Sequence, residues 1–329
     1  MTFRTISFFI TAYLLGGVGI CHAAGFQFAT APDPDDRALQ LGVWYPSDAP
    51  PATVEGLGGD VALNGAACGT HLPLIIISHG NGGAFSGHGD TALALADAGF
   101  VVAAATHTGD NFEDQSYAGK ERWFSDRPRH VARVIDYVVG HWTERARIDQ
   151  SRIGLFGFSM GGFTGLVSIG AAPDFARIKN YCVERPQEFT CVLLSRLNSE
   201  VLTTPDATPP VWVHDARIKA AVLASPGFPY AFAPEELASI TIPVQLWASD
   251  GDESVRADEI SQLHGLLSEG SEFHLVENAG HFVFLPPCNF SPQICADPPG
   301  FDRAEFHREL NASIISFFTE KLDVRDPAP

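Results

Sequence analysis

Gly157-Phe158-Ser159-Met160-Gly161 constrains this chain more than any other stretch. A serine with glycines two residues before and two after suits a sharp turn between a strand and a helix. Without side chains at those two positions, the backbone can fold back on itself closely enough. The flanks agree: residues 153–156 are a short apolar run, and Gly161, Gly162 and a helical composition up to 169 follow. In that setting the hydroxyl stands above the end of a sheet with a helix N-terminus beneath it, where a nucleophile is needed. A glycine-rich turn that merely packs would share the five residues but not the strand and helix around them.

Elsewhere apolar runs alternate with helical patterns, which predicts an α/β domain: a mostly parallel central sheet with helices on both faces. Strands are expected at 39–45, 73–78, 100–105, 153–156, 218–223, 244–248 and 272–276. Residues 51–70, rich in Gly, Ala and Pro, read as a loop. Helices are expected at 91–98, 161–169, 255–267 and 303–321. Another, opened by Asp126, Arg127 and Pro128, carries an apolar face of Val131, Val134, Ile135 and Val138. Residues 172–216 are too long for an ordinary connection and read as a cap inserted after the nucleophile helix.

A serine nucleophile needs a base, an acid and an oxyanion site. His281, in Glu277-Asn278-Ala279-Gly280-His281-Phe282, follows the last strand and completes the chain order Ser, acid, His. His79, His107 and His214 precede the acid candidates and break that order. The acid lies in Ser249-Asp250-Gly251-Asp252-Glu253. Asp252, in the turn beyond the strand, is preferred to Asp250 at the strand end. The one not used would be a turn residue capping the next helix. A calcium loop lacks its closing glutamate here. His79-Gly80-Asn81-Gly82-Gly83 follows the strand at 73–78. Its Asn81 amide, with Gly82 as the neighbouring alternative, and the Met160 amide are the expected oxyanion donors. The loop lacks the Lys-Ser/Thr ending of a phosphate cradle. Phe158, Phe228, Tyr230, Phe232, Phe282 and Phe284 are candidates for an apolar substrate pocket, with ordinary packing as the competing reading.

The net charge of -18 and pI near 4.9, with no Lys/Arg run, argue against nucleic-acid binding and against strongly anionic substrates. At 329 residues and 45% hydrophobic, the chain fits one catalytic domain with an insertion. Arg4, an apolar stretch from Ile6 to Ile20, and small residues at Ala23 and Ala24 form the three-part pattern of a secretory signal peptide. Residues 1–23 are the expected leader and 24–329 the catalytic domain, secreted or periplasmic. The run is short for a membrane span. Lipidation at Cys21 competes, but Ile20 is bulky for that signal. Outside the cytosol the remaining cysteines can pair. Cys182–Cys191 and Cys288–Cys295 are the simplest bridges, leaving Cys68 over. No C-x-x-C or paired-His spacing supports zinc.

Together these pieces resemble the predicted dienelactone hydrolase group of α/β-hydrolases, which itself is similar to platelet-activating-factor acetylhydrolases. The residues that carry the resemblance are His79–Gly83, Arg127-Pro128, Gly157–Gly161, Ser249–Val255, Ala279–Leu285, and the segment from Pro286 through Cys288 and Cys295 to Arg303. True dienelactone hydrolases use a cysteine nucleophile where this chain has Ser159. The resemblance implies the α/β-hydrolase fold and acyl transfer through Ser159, His281 and Asp252, with no metal or organic cofactor. The expected activity is cleavage of small or medium neutral esters. An acyltransferase or lactonase would use the same residues, and a binding protein on the same fold is the third reading. Oligomeric state is left open.

Overall fold

The computed structural model describes residues 21, 23–204 and 210–324. The expected leader therefore lies largely outside the described residues. Strands β1 (Ala23–Ala31), β2 (Leu39–Ser47), β3 (Ala52–Thr53), β4 (Asp60–Leu63) and β5 (Leu72–Ser78) come first. Helix α1 (Gly89–Asp97), β6 (Val101–Thr106), α2 (Glu121–Gly140), β7 (Ile148–Phe158) and α3 (Met160–Ser168) follow. Short helices α4 (Phe175–Glu184), α5 (Phe189–Arg196) and α6 (Glu200–Thr203) occupy the segment read as a cap. Then come β8 (Ile218–Ala224), α7 (Pro234–Leu237), β9 (Val244–Ser249), α8 (Ala257–His264), β10 (Glu272–Val276), α9 (Pro292–Cys295) and α10 (Arg303–Lys321).

Ten strands make one sheet among the described residues, ordered β10-β9-β8-β7-β5-β6-β2-β1-β4-β3. From β6 across to β10 all neighbours are parallel. β2 pairs antiparallel with both β1 and β6. β5 is buried at every position because helices cover both faces, so a continuous apolar run is what its environment requires. Period two then divides the core. Leu74, Ile76, Val101, Ala103 and Leu155 face α2, α3 and α8. Ile75, Ile77, Val102, Ala104 and Phe156 face α1 and α10.

The structure departs from the sequence reading in four places. Residues 51–70 hold β3 and β4, which extend the sheet beyond β1. β1 itself went unread, although it pairs with β2 from Ala23↔Ser47 to Ala31↔Leu39. α2 starts at Glu121 rather than at Asp126, so Pro128 lies inside the helix. Proline favours a first turn, and inside the helix it has no N–H to offer the Phe124 carbonyl four residues back. Burial of Trp123 and Phe124 in the core draws the first turns into the helix nonetheless. Finally, Cys68 is not left over: it is bonded to Cys21, a residue that cleavage after Ala23 would remove.

Cys182–Cys191 and Cys288–Cys295 close loops of 9 and 7 residues' separation. Peptide mapping without reduction should recover each of these as one crosslink. A free thiol at any of the four positions would overturn the pairing.

Candidate active site

Four adjacent parallel strands, β7, β8, β9 and β10, bring the candidate residues to one edge of the sheet, since parallel strands expose their carboxyl ends on the same side. Ser159 joins β7 to α3 with φ 54° and ψ −117°, a conformation that side chains rarely adopt. Crowding around the turn explains both glycines. A Cβ at Gly157 would sit 2.2 Å from the Gly161 carbonyl oxygen, and one at Gly161 would sit 1.9 Å from that of Ser78. The turn is further tied by Ser159 N–H to the Ala224 carbonyl at 2.9 Å and by Gly227 N–H to the Ser159 carbonyl at 2.9 Å.

The Ser159 hydroxyl lies 2.9 Å from His281 Nε2, and His281 Nδ1 lies 2.7 Å from Asp252 Oδ2. With Nδ1–H donating to the carboxylate, Nε2 is free to accept from the serine. Asp252 accepts three further bonds: Ser225 Oγ–H at 2.5 Å, Ser254 N–H at 2.7 Å and Val255 N–H at 2.8 Å. Burial alone would raise its pKa. The His281 interaction and the Ser225 and Val255 hydrogen bonds outweigh burial, and the net shift is downward, so the carboxylate stays ionised. Asp250 is exposed and, among the described residues, its carboxylate accepts only the Ala279 amide, at 3.3 Å. Ser225 was missed in the sequence. Its signal was positional: it follows β8, which lies between the strands that lead to Ser159 and Asp252.

On the other side of Ser159, loop 79–83 follows β5. The Gly82 amide donates to Asp110 Oδ1 at 2.8 Å and the Gly83 amide to the Gly80 carbonyl at 3.1 Å, so among the described residues the Gly80 and Asn81 amides are the ones in the turn with no acceptor. Met160 opens α3, so its amide is one of the donors that a helix start leaves unpaired. The remaining early histidines are engaged elsewhere. His79 Nε2 accepts the His107 amide at 3.1 Å, His107 faces Ser78 and His130 at 3.0 and 3.1 Å, and His214 meets the Val167 carbonyl at 2.6 Å.

A cavity of about 910 Å³ opens above Ser159 and His281. Phe158, Phe228 and Phe282 line it, as do Phe189 and Leu193 of α5. Tyr230 does not. Its ring stacks on Tyr181 of α4 with centroids 3.6 Å apart, and its hydroxyl pairs with Thr190 at 2.8 Å, so it ties the cap down. Phe232 and Phe284 are core residues, packed against Phe163 and Phe306.

Residues 61–224 match the family model described as the dienelactone hydrolase family. A candidate esterase of Bacillus subtilis (strain 168), YitV, is 33% identical over 102 residues, 30% of this chain. That match spans only 40% of the relative's length. A ferulic acid esterase from Streptomyces cinnamoneus superposes with a TM-score of 0.64 at 19% identity, covering 97% of this chain and 94% of its own. A dienelactone hydrolase from Anabaena variabilis ATCC 29413 superposes at 0.51 with 14% identity, covering 91% and 99%. At these identities the superpositions establish the fold.

Burial lowers the pKa of His79, His107 and His130, with Arg127 adding to it at the first two, and brings His88 down to about 4. These rings are neutral when folded but take up protons in the unfolded chain below about pH 6.5. The unfolded state then binds more protons, so stability falls as pH drops. The melting temperature should decline from pH 7.5 to pH 5, and a flat profile would contradict this burial. Gly161→Ala should cost at least about 1–3 kcal/mol in urea unfolding, because the new methyl meets backbone that cannot yield.

Proposed function

Residues 61–224 form a dienelactone hydrolase family domain on the α/β-hydrolase fold, and from that premise we propose an exported serine hydrolase that cleaves small or medium neutral carboxylic esters. Family and relatives support ester or lactone hydrolysis at the coarse level. The observation that carries the finer reading is the continuous relay from Ser159 through His281 to Asp252. His281 takes the serine proton as the hydroxyl attacks the acyl carbon. Asp252 holds the imidazole in the accepting tautomer and stabilises its cation. The Asn81 and Met160 amides receive the oxyanion. His281 then protonates the leaving alcohol, and water repeats the cycle on the acyl-enzyme.

Substrate class follows from the cavity. Its lining by Phe158, Phe189, Leu193, Phe228 and Phe282 favours an apolar acyl or aryl group. The acidic balance of the chain disfavours anionic esters. The leader-like N-terminus and the Cys182–Cys191 and Cys288–Cys295 disulfides, which lie beyond the expected cleavage point, support a destination outside the reducing cytosol. No described helix is long and apolar enough to cross a membrane. A lactone presents the same acyl carbon, and the family description makes it the first variant substrate to assay.

A fluorophosphonate probe should label the wild type and fail on Ser159→Ala. A folded wild type that does not label would sink the proposal. On a short p-nitrophenyl ester, Asp252→Asn should lower kcat by about 10³–10⁴. Asp250→Asn should stay within about threefold, as a surface change does. Reversal of that order would move the acid to Asp250.

A further inference from the structure

Asp110 and Arg127 form an ion pair whose two side chains are each 1% exposed. Neither touches Ser159, His281 or Asp252. Desolvating such a pair costs enough that apolar residues of similar volume often serve stability as well, so stability alone does not account for it. Its hydrogen bonds do. Asp110 Oδ1 accepts the Gly82 amide at 2.8 Å, and Oδ2 accepts Trp123 Nε1–H at 2.6 Å as well as Arg127 Nη1–H. Arg127 Nη2–H donates to the His79 carbonyl. Arg127 Nε–H donates to Thr164 Oγ1 at 3.0 Å, and that hydroxyl donates to the Met160 carbonyl at 2.8 Å.

The two arms thus end on the two peptide segments that carry the Asn81 and Met160 amides. Resting on the serine-hydrolase reading above, we infer that Asp110–Arg127 is the positioning element of the oxyanion hole. One arm grips loop 79–83 at both its His79 carbonyl and its Gly82 amide. The other reaches the first residue of α3 through Thr164. The pair sets the separation between the two donors, and by engaging the Gly82 amide it takes the neighbouring alternative donor away from the oxyanion. Asp110 and Arg127 are positioning residues, acting through backbone that they hold.

The test is a charge-neutral double variant, Asp110→Leu with Arg127→Met, which removes the clamp without stranding a buried charge. Thr164→Val, which cuts only the arm to Met160, is the second variant. Each is compared with wild type for kcat and KM on one p-nitrophenyl ester, for inhibition by a trifluoromethyl ketone that forms a tetrahedral adduct, and for melting temperature. For the double variant, kcat should fall about 10–100-fold, short of outright loss of a donor, with KM within about twofold. Affinity for the ketone should fall by the same factor as kcat/KM, because both read the oxyanion contacts. Thr164→Val should lose about three- to tenfold in kcat with the same coupling.

A folded double variant with kcat near wild type would overturn the inference. So would a loss of kcat that leaves ketone affinity intact. Should the double variant fail to fold, Thr164→Val decides by the same two readouts. A wild type that fluorophosphonate does not label would instead bring down the serine-hydrolase reading itself.

Discussion

Between β7 and α3 the chain reverses through a single residue held at φ 54° and ψ −117°. Backbone in that region costs of order 1–3 kcal/mol, and it persists only where surrounding contacts outweigh the cost. Here they are specific. Gly157 lets the Gly161 carbonyl approach, and Gly161 lets the Ser78 carbonyl approach. The Ala224 carbonyl and the Gly227 amide hold Ser159 from the side of β8. The turn is therefore bound to β5 on one flank and β8 on the other. The same two flanks carry loop 79–83 and Ser225. Fixing the serine fixes its neighbours at the same time.

Sheet order does the rest of the assembly. Crossing from β7 to β8, β9 and β10, each strand delivers one polar group to the same edge: Ser159, Ser225, Asp252 and His281. Residues up to 122 apart in sequence meet there because parallel strands end on one side. Asp252 is held by four donors before any substrate arrives, so the charge that orients His281 needs little rearrangement. Under loop 79–83, Asp110 and Arg127 hold the backbone in a comparable way, through the Gly82 amide and the His79 carbonyl.

The cap belongs to the same packing arrangement. Tyr181 stacks on Tyr230, Cys182 is bonded to Cys191, and Phe175 packs edge-on against Phe124 of α2. These contacts place Phe189 and Leu193 over the cavity. Tyr230 belongs to this anchorage and not to the cavity wall. Its aromatic character was visible in the sequence, but its partner, 49 positions away on α4, was not.

What the sequence determined by itself was local and periodic. The strand–glycine–serine–glycine–helix run, the buried isoleucine strand and the 303–321 helix are written in adjacent residues, because short-range sterics and hydrophobic period decide them. His281 was singled out by its place in the order Ser, acid, His along the chain. Tertiary structure decided what depends on distant partners. It brought Asp252 rather than Asp250 to His281, because Ser225 and the turn amides of Ser254 and Val255 hold it there. It drew residues 121–125 into α2 against the proline signal, since burying Trp123 and Phe124 outweighs one lost hydrogen bond. It bonded Cys68 to Cys21 across 47 positions and joined Arg127 to Asp110 beneath the loop. A residue's neighbours along the chain carry no record of which far side chains the fold will press against it, and those contacts set charge, tautomer and hydrogen bonding at the site.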